Sequence, residues 1–234
     1  MERISTGIKD LDSMMENGYP RNHSILITGT TGSGKTILGL QYINQACMDG
    51  KKCFMIATEE DPEDLIAQAE SLGMLLSEYF KDKRLDIEKV FDERTEYIMG
   101  LRANDVADID ELQSDLIGLL DRIPKDTEIV LIDNIGVFTL NMSVNEFRAQ
   151  FDTLIRGLAK RKLTSVIIMD SVSDERMGGI AAYSVYGVIV TSIKDDPYTN
   201  KMRRVIRILK IRNTKIPIDP IIFDITSKGI VILE

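Results

Sequence analysis

Gly29-Thr30-Thr31-Gly32-Ser33-Gly34-Lys35-Thr36 has the spacing G-x-x-x-x-G-K-[ST], and its flanks decide the fold. Upstream, Ser24-Ile-Leu-Ile-Thr28 is short, apolar and β-branched, as a strand buried on both faces must be. Downstream, Ile37, Leu38, Leu40, Gln41 and Ile43 begin a helical period at once. A strand, a glycine loop and a helix in that order make a cradle for phosphate. The glycines let successive backbone N–H groups curl around an anion, the Lys35 ammonium can reach β and γ phosphates, and the Thr36 hydroxyl is placed to ligand Mg²⁺. All eight positions from Gly29 to Thr36 are therefore assigned to a bound nucleoside triphosphate.

The alternation of strands and helices continues along the chain. Lys52-Cys-Phe-Met-Ile-Ala-Thr58 reads as a second buried strand ending on Glu59 and Glu60. Asp61-Pro-Glu-Asp-Leu65 opens a helix with Asp61 as its expected N-cap, Pro62 at the first position and acids in the first turn. A shorter helix is expected after Ser77, and a charged strand over Leu85–Phe91. Residues 92–107 read as a polar loop. Over 110–123 the spacing gives a helix whose apolar face holds Leu112, Leu116, Leu119 and Leu120. Glu128-Ile-Val-Leu-Ile132 is a strand ending on Asp133, and Thr164–Met169 one ending on Asp170. Between them Ser143 is expected to cap a long helix carrying Phe147, Phe151, Leu154 and Leu158. Near the start, Ile8, Leu11, Met14 and Met15 share a face of a short helix closed by Asn17-Gly18. Such alternation implies a mostly parallel sheet with helices on both faces. The last third differs: Tyr186–Ile193, Arg203–Arg212, Ile221–Ile225 and Ile230–Leu233 are successive β runs, which imply an antiparallel extension of the sheet.

In open α/β sheets, ligands bind beyond the carboxyl ends of the strands, where Glu59, Glu60, Asp133 and Asp170 all fall. Asp133, after four apolar residues, fits the acid that completes the Mg²⁺ shell in phosphate-loop NTPases; an Asp there can also merely begin a turn. Glu59 and Glu60 offer a carboxylate to orient or deprotonate attacking water, or form only a solvated acidic helix start. Lys210 and Arg212 are two apart on a strand, so they leave one face and can clamp one anion; a basic strand also protects a sheet edge.

Composition narrows the function classes. The 234 residues are 44% hydrophobic with net charge −8, enough for a substantial core and opposed to general attraction to nucleic acid or anionic membranes. No linker, repeat or low-complexity tract divides the chain, so one domain over residues 1–234 is expected. No apolar leader or run of 18 apolar residues is present, and a cytoplasmic protein is expected. Cys47 and Cys53 match no zinc or redox spacing and read as buried free thiols. The single histidine, His23, has no ligand-like neighbours, so the expected metal is nucleotide-bound Mg²⁺.

Thr6-Gly-Ile-x-x-Leu-Asp12, the glycine loop, a strand ending Thr-Glu-Glu, Leu131-Ile-Asp133, Lys210-Ile-Arg-Asn213 and Pro220-x-x-Phe-Asp-Ile-Thr-x-Lys-Gly-Ile230 together resemble single KaiC-type domains of the RecA superfamily. The resemblance covers essentially the whole chain and implies a RecA-like phosphate-loop fold binding ATP and Mg²⁺. It also implies roles. Glu59 and Glu60 would be the catalytic glutamates, Lys35 and Thr36 the phosphate and Mg²⁺ ligands, and Asp133 the Walker B acid. Lys210 and Arg212 would reach the triphosphate held by a neighbouring subunit, in a homo-oligomer that is usually a hexameric ring. No other arginine is obviously placed for that task.

Some positions depart from the family pattern. Asn134 stands where Ser is common, Ala182-Tyr-Ser-Val-Tyr-Gly187 replaces a Glu-Tyr-x-x-Asp-Gly segment, and Asp170 occupies the place of a γ-phosphate sensor. A carboxylate there would repel the triphosphate unless it faces Mg²⁺ or water; Ser171 could serve instead. The main expectation is an oligomeric Mg²⁺-dependent ATPase with a regulatory output. The alternatives are a DNA-handling recombinase paralogue binding through Asp174–Gly179, a nucleotide-gated scaffold for a protein partner, and a small-molecule kinase.

Overall fold

A computed structural model describes residues 1–90, 116–139, 142–170, 175–196 and 201–233. Eleven strands are present among them: β1 (Arg3–Ile4), β2 (Tyr19–Pro20), β3 (Ser24–Gly29), β4 (Cys53–Ala57), β5 (Leu85–Lys89), β6 (Ile129–Asp133), β7 (Thr164–Asp170), β8 (Gly187–Asp196), β9 (Lys201–Ile211), β10 (Ile221–Thr226) and β11 (Gly229–Ile232). The helices are α1 (Lys9–Ser13), α2 (Lys35–Met48), α3 (Pro62–Ser71), α4 (Leu76–Lys81), α5 (Leu119–Arg122), α6 (Gly136–Thr139), α7 (Val144–Lys160) and α8 (Glu175–Ser184). Nine strands form one sheet in the order β11-β10-β9-β8-β3-β7-β6-β4-β5. From β8 to β5 the pairing is parallel, and β9, β10 and β11 add antiparallel strands beyond β8. The expected parallel sheet with its antiparallel extension is what the chain forms.

Alternation along the central strands feeds two cores. Ile25, Ile27, Met55, Leu131, Val166 and Ile168 turn to the face covered by α2, α3 and α4. Leu26, Phe54, Ile56, Val130, Ile132 and Ile167 turn to the other, where Phe147, Phe151, Leu154 and Leu158 of α7 pack. Strands buried on both faces have no room for polar alternation, which is why they read as apolar runs. Ser143 caps α7 as expected, its Oγ accepting from Glu146 N at 3.2 Å. Asp61 is the N-cap residue of α3, as expected, but its side chain makes no capping hydrogen bond. Its Oδ1 instead takes the Lys89 ammonium at 2.6 Å, an ion pair available only once β5 lies beside β4.

The helix expected over 110–123 is short where it can be seen: α5 begins at Leu119, after bends at 116–117. Its earlier residues and the 92–107 loop lie outside the described residues. Both cysteines are free and buried, and His23 stacks on Tyr186 with ring centroids 3.8 Å apart. Among the described residues no helix is long and apolar enough to cross a membrane.

Candidate functional site

Parallel pairing brings four strand ends to one place. Gly29 is in register with Asp170 across β3 and β7, and Ala57 with Asp133 across β4 and β6. There Thr31, Gly32, Gly34, Lys35, Thr36, Glu59, Glu60, Asp133, Asn134 and Asp170 surround a cleft of about 410 Å³, together with Ile37, Gln68 and Ile225. Thr58 fastens its floor: its hydroxyl donates to Asn134 O at 2.9 Å and accepts from Asn134 N at 3.0 Å. That tie between the ends of β4 and β6 sets the acidic pair beside Asp133.

The loop geometry depends on its glycines. A Cβ on Gly29 would lie 2.0 Å from Thr191 O, so only glycine lets the loop leave β3 beside β8. Gly34 adopts φ 91° as it opens α2, a left-handed conformation that costs a side-chain-bearing residue free energy. Ser33 is buried, with its Oγ 2.6 Å from Thr30 O and 2.6 Å from Thr191 Oγ1. Thr30, Thr31 and Gly32 form the exposed rim.

Lys35 is only 8% exposed, and its ammonium lies 2.7 Å from Asp170 Oδ1 and 3.1 Å from Thr30 O. Asp170 Oδ2 also accepts from Asn134 Nδ2 at 3.4 Å. The cleft thus neutralises its own lysine, and Asp170 faces Lys35. Burial pushes the Asp133 carboxyl up to about 7, opposed by the Thr36 hydroxyl that bonds it and reinforced by Glu60 and Glu59. Burial also raises Glu60, with Glu59 and Asp64 adding to the shift. A dication would pull Asp133 back down. The pair that could hold one is Thr36 with Asp133, both hard oxygen donors already in contact. Among the described residues no group of three or more His, Cys, Asp or Glu converges on a metal position. Phosphate oxygens and water would have to supply the rest of such a shell.

Lys210 and Arg212 lie elsewhere. Lys210 is in register with Val188, and Arg212 N bonds to Tyr186 O, at the end of β8 that pairs with the start of β3. Arg212 is therefore roughly 17 Å along the strand direction from Gly29. The two share a face, as their spacing requires: Lys210 Nζ donates to Ala182 O at 2.6 Å and Tyr183 O at 3.3 Å, and Arg212 Nη2 to Tyr183 O at 3.2 Å. Both cations satisfy carbonyls at the C-terminus of α8, where the helix dipole favours positive charge. Burial, with Arg212 nearby, holds the Lys210 ammonium below its usual range. A different arginine reaches the chain's own loop: Arg204 Nε lies 3.5 Å from Gly32 O, and its Nη1 3.4 Å from Asp224.

The sequence pattern of the family described as "ATPase: KaiC" matches residues 4–234. The chain belongs to the KaiC family of ATPases. Its likeness extends to a Prochlorococcus marinus circadian clock oscillator protein KaiC, 29% identical over 224 residues that span 92% of this chain and 42% of the relative. This chain therefore spans less than half of that clock protein. A UPF0273 protein from Methanopyrus kandleri is 28% identical over 241 residues, covering 98% of this chain and 91% of the relative. A crystal structure of a KaiC-like protein from Pyrococcus horikoshii shares the fold, with TM-score 0.78, 23% identity and coverage of 100% of this chain and 99% of its own. Membership of the KaiC family makes this an ATP-binding fold of the RecA superfamily.

Within that KaiC-type frame, three participants were not foreseen from the sequence. Thr191 holds Ser33 from a strand 158 residues away, Ile225 packs on Gly34, and Gln68 lines the cleft from α3. None carries a motif signal, because each is placed by tertiary packing alone. Ser171 and Asp174 lie outside the described residues, and 175–179 form the first turns of α8.

Proposed function

We propose that this chain is a Mg²⁺-dependent ATPase built as one domain. It works in a head-to-tail homo-oligomer, a hexameric ring by family likeness, and couples turnover to a regulatory output. The observation that carries this reading is the gathering of Lys35, Thr36, Glu59, Glu60 and Asp133 around one cleft at the mouth of a phosphate-cradling loop. ATP would supply the transferable phosphoryl group, and Mg²⁺ the charge that offsets it. Backbone N–H groups of the loop hold the phosphates at the N-terminus of α2. Lys35 exchanges Asp170 for phosphate oxygens, while Thr36 and Asp133 orient the cation. Glu60, whose carboxyl is raised, takes the proton of the attacking water, and Glu59 beside it helps to orient that water.

Lys210 and Arg212 point away from their own cleft, which supports a role in a neighbour's. They would leave the α8 carbonyls to meet developing charge on a triphosphate, where such donors give large transition-state stabilisation. The test is phosphate release at saturating Mg-ATP with nucleotide affinity measured alongside. Arg212→Ala should lower turnover by at least about 100-fold with affinity within about threefold, and Arg204→Ala should leave more activity than Arg212→Ala. Equal loss of binding and turnover in Arg212→Ala would contradict its role, and a wild-type chain without turnover would contradict hydrolysis. The Lys35–Asp170 ion pair favours a second reading, a nucleotide-gated scaffold in which ATP must first break that contact and turns over little.

A further inference from the structure

Resting on the nucleotide-binding reading above, we propose that Asn134 is a positioning residue specific to the triphosphate state of the cleft: it receives Asp170 when a γ phosphate takes Lys35 away. Asp170 ends β7 in register with Gly29, where the loop begins, and its Oδ1 holds the Lys35 ammonium at 2.7 Å. Loop N–H groups cradle the α and β phosphates, so a diphosphate settles with this ion pair in place. A γ phosphate does not. It competes for the ammonium, and its charge repels the carboxylate already there. Asp170 then loses its counter-ion. With its side chain only 29% exposed, water replaces that partner incompletely, and a second donor decides what the displacement costs.

Asn134 is set up as that donor. It is buried, and its Oδ1 accepts from Gly136 N at 2.6 Å, which fixes the amide so that Nδ2 is the end turned to Asp170. Thr58 Oγ1 accepts from Asn134 N at 3.0 Å and donates to Asn134 O at 2.9 Å, holding the backbone in place. Nδ2 lies 3.4 Å from Asp170 Oδ2, a long contact while Lys35 keeps the other oxygen. Once Lys35 is taken, the carboxylate closes that gap by a small rotation of its own, away from the phosphates and onto the amide. A serine at 134 would end one atom sooner and leave the gap open. The two positions that depart from the family pattern, Asn134 and Asp170, thus form one device, and no step requires Asn134 to touch the nucleotide.

Calorimetric titration with Mg-ADP and with the non-hydrolysable triphosphate Mg-AMPPNP tests this on the wild-type chain and on Asn134→Ala, each with and without Asp170→Asn. Asn134→Ser, which keeps an acceptor for Gly136 N, is the second variant, and thermal melting confirms folding. Asn134→Ala and Asn134→Ser should weaken AMPPNP binding about tenfold, the effect of an unmatched charged acceptor, with ADP affinity held within about twofold. In the Asp170→Asn background no carboxylate has to be received, so the same substitutions should change AMPPNP affinity by less than about twofold, the non-additivity of a coupled pair. A loss shared equally by ADP and AMPPNP, a loss of the same size in the Asp170→Asn background, or no change at all would overturn the role of Asn134 while leaving nucleotide binding intact. Failure of the wild type to bind either nucleotide would instead overturn the underlying reading, and this one with it.

Discussion

Glu59→Gln/Glu60→Gln should lower ATP turnover by at least about 100-fold while Mg-ATP affinity holds or rises. The turnover loss follows from removing the general base and the carboxylate beside it, an effect usually of 10²–10⁴. The affinity follows from charge. Two carboxylates facing a polyanion oppose its binding, and the amides keep the shape and hydrogen bonding without that repulsion. A second consequence runs through Asp133, whose carboxyl is raised to about 7 by burial first and by Glu60 and Glu59 next. Removing both neighbours drops it toward the ordinary range, leaving Asp133 more fully ionised at neutral pH and a better partner for a dication. Phosphate release and nucleotide affinity measured on one preparation check both halves. Turnover equal to the wild type would deny the glutamates any catalytic part and favour the scaffold.

Lys35→Ala should weaken ATP binding by at least about 100-fold, more than the loss of one contact. The ammonium lies 2.7 Å from Asp170 at 8% exposure, so its removal deletes the phosphate's partner and also leaves Asp170 uncompensated. A bare carboxylate in a partly desolvated cleft repels the incoming phosphates. Asp170→Asn should act in the opposite direction, freeing Lys35 and tightening ATP binding several-fold. Competition against a fluorescent ATP analogue reads both variants. Unchanged affinity in Lys35→Ala would remove the lysine from the site, and weaker binding in Asp170→Asn would show Asp170 to be a ligand rather than a competitor.

What the sequence made legible was local or periodic. The order of strand, glycine loop and helix, the apolar runs of β4, β6 and β7, and the acids at their ends follow from short-range rules, and parallel pairing then forces those acids together. The Ser143 cap was equally readable, since its partner is three residues away. The partner of the Asp61 side chain was not. Asp61 has the right composition for a cap, and only the arrival of Lys89 on a neighbouring strand redirects its side chain. The same holds for Asp170: a lone carboxylate at a phosphate site looks repulsive until Lys35 is seen against it. Side-chain hydrogen bonds, one local and one long-range, explain two of the family-like segments as well. Asp12 accepts from Thr6 N and Thr6 Oγ1, closing the Thr6–Asp12 turn. Gln41 of α2 joins Gly7 O to Ile230 N, tying both ends of the chain to the helix that begins at the loop. Arg204 at Gly32 escaped notice because a basic strand does not reveal which of its residues meets the loop.

The claim on which the rest depends is that the Gly29–Thr36 loop grips a nucleoside triphosphate. Isothermal titration of the purified, folded chain with Mg-ATP tests it most directly. A saturable heat with one nucleotide per chain is the expected result, and a flat trace with both Mg-ATP and Mg-GTP would contradict the account at its root.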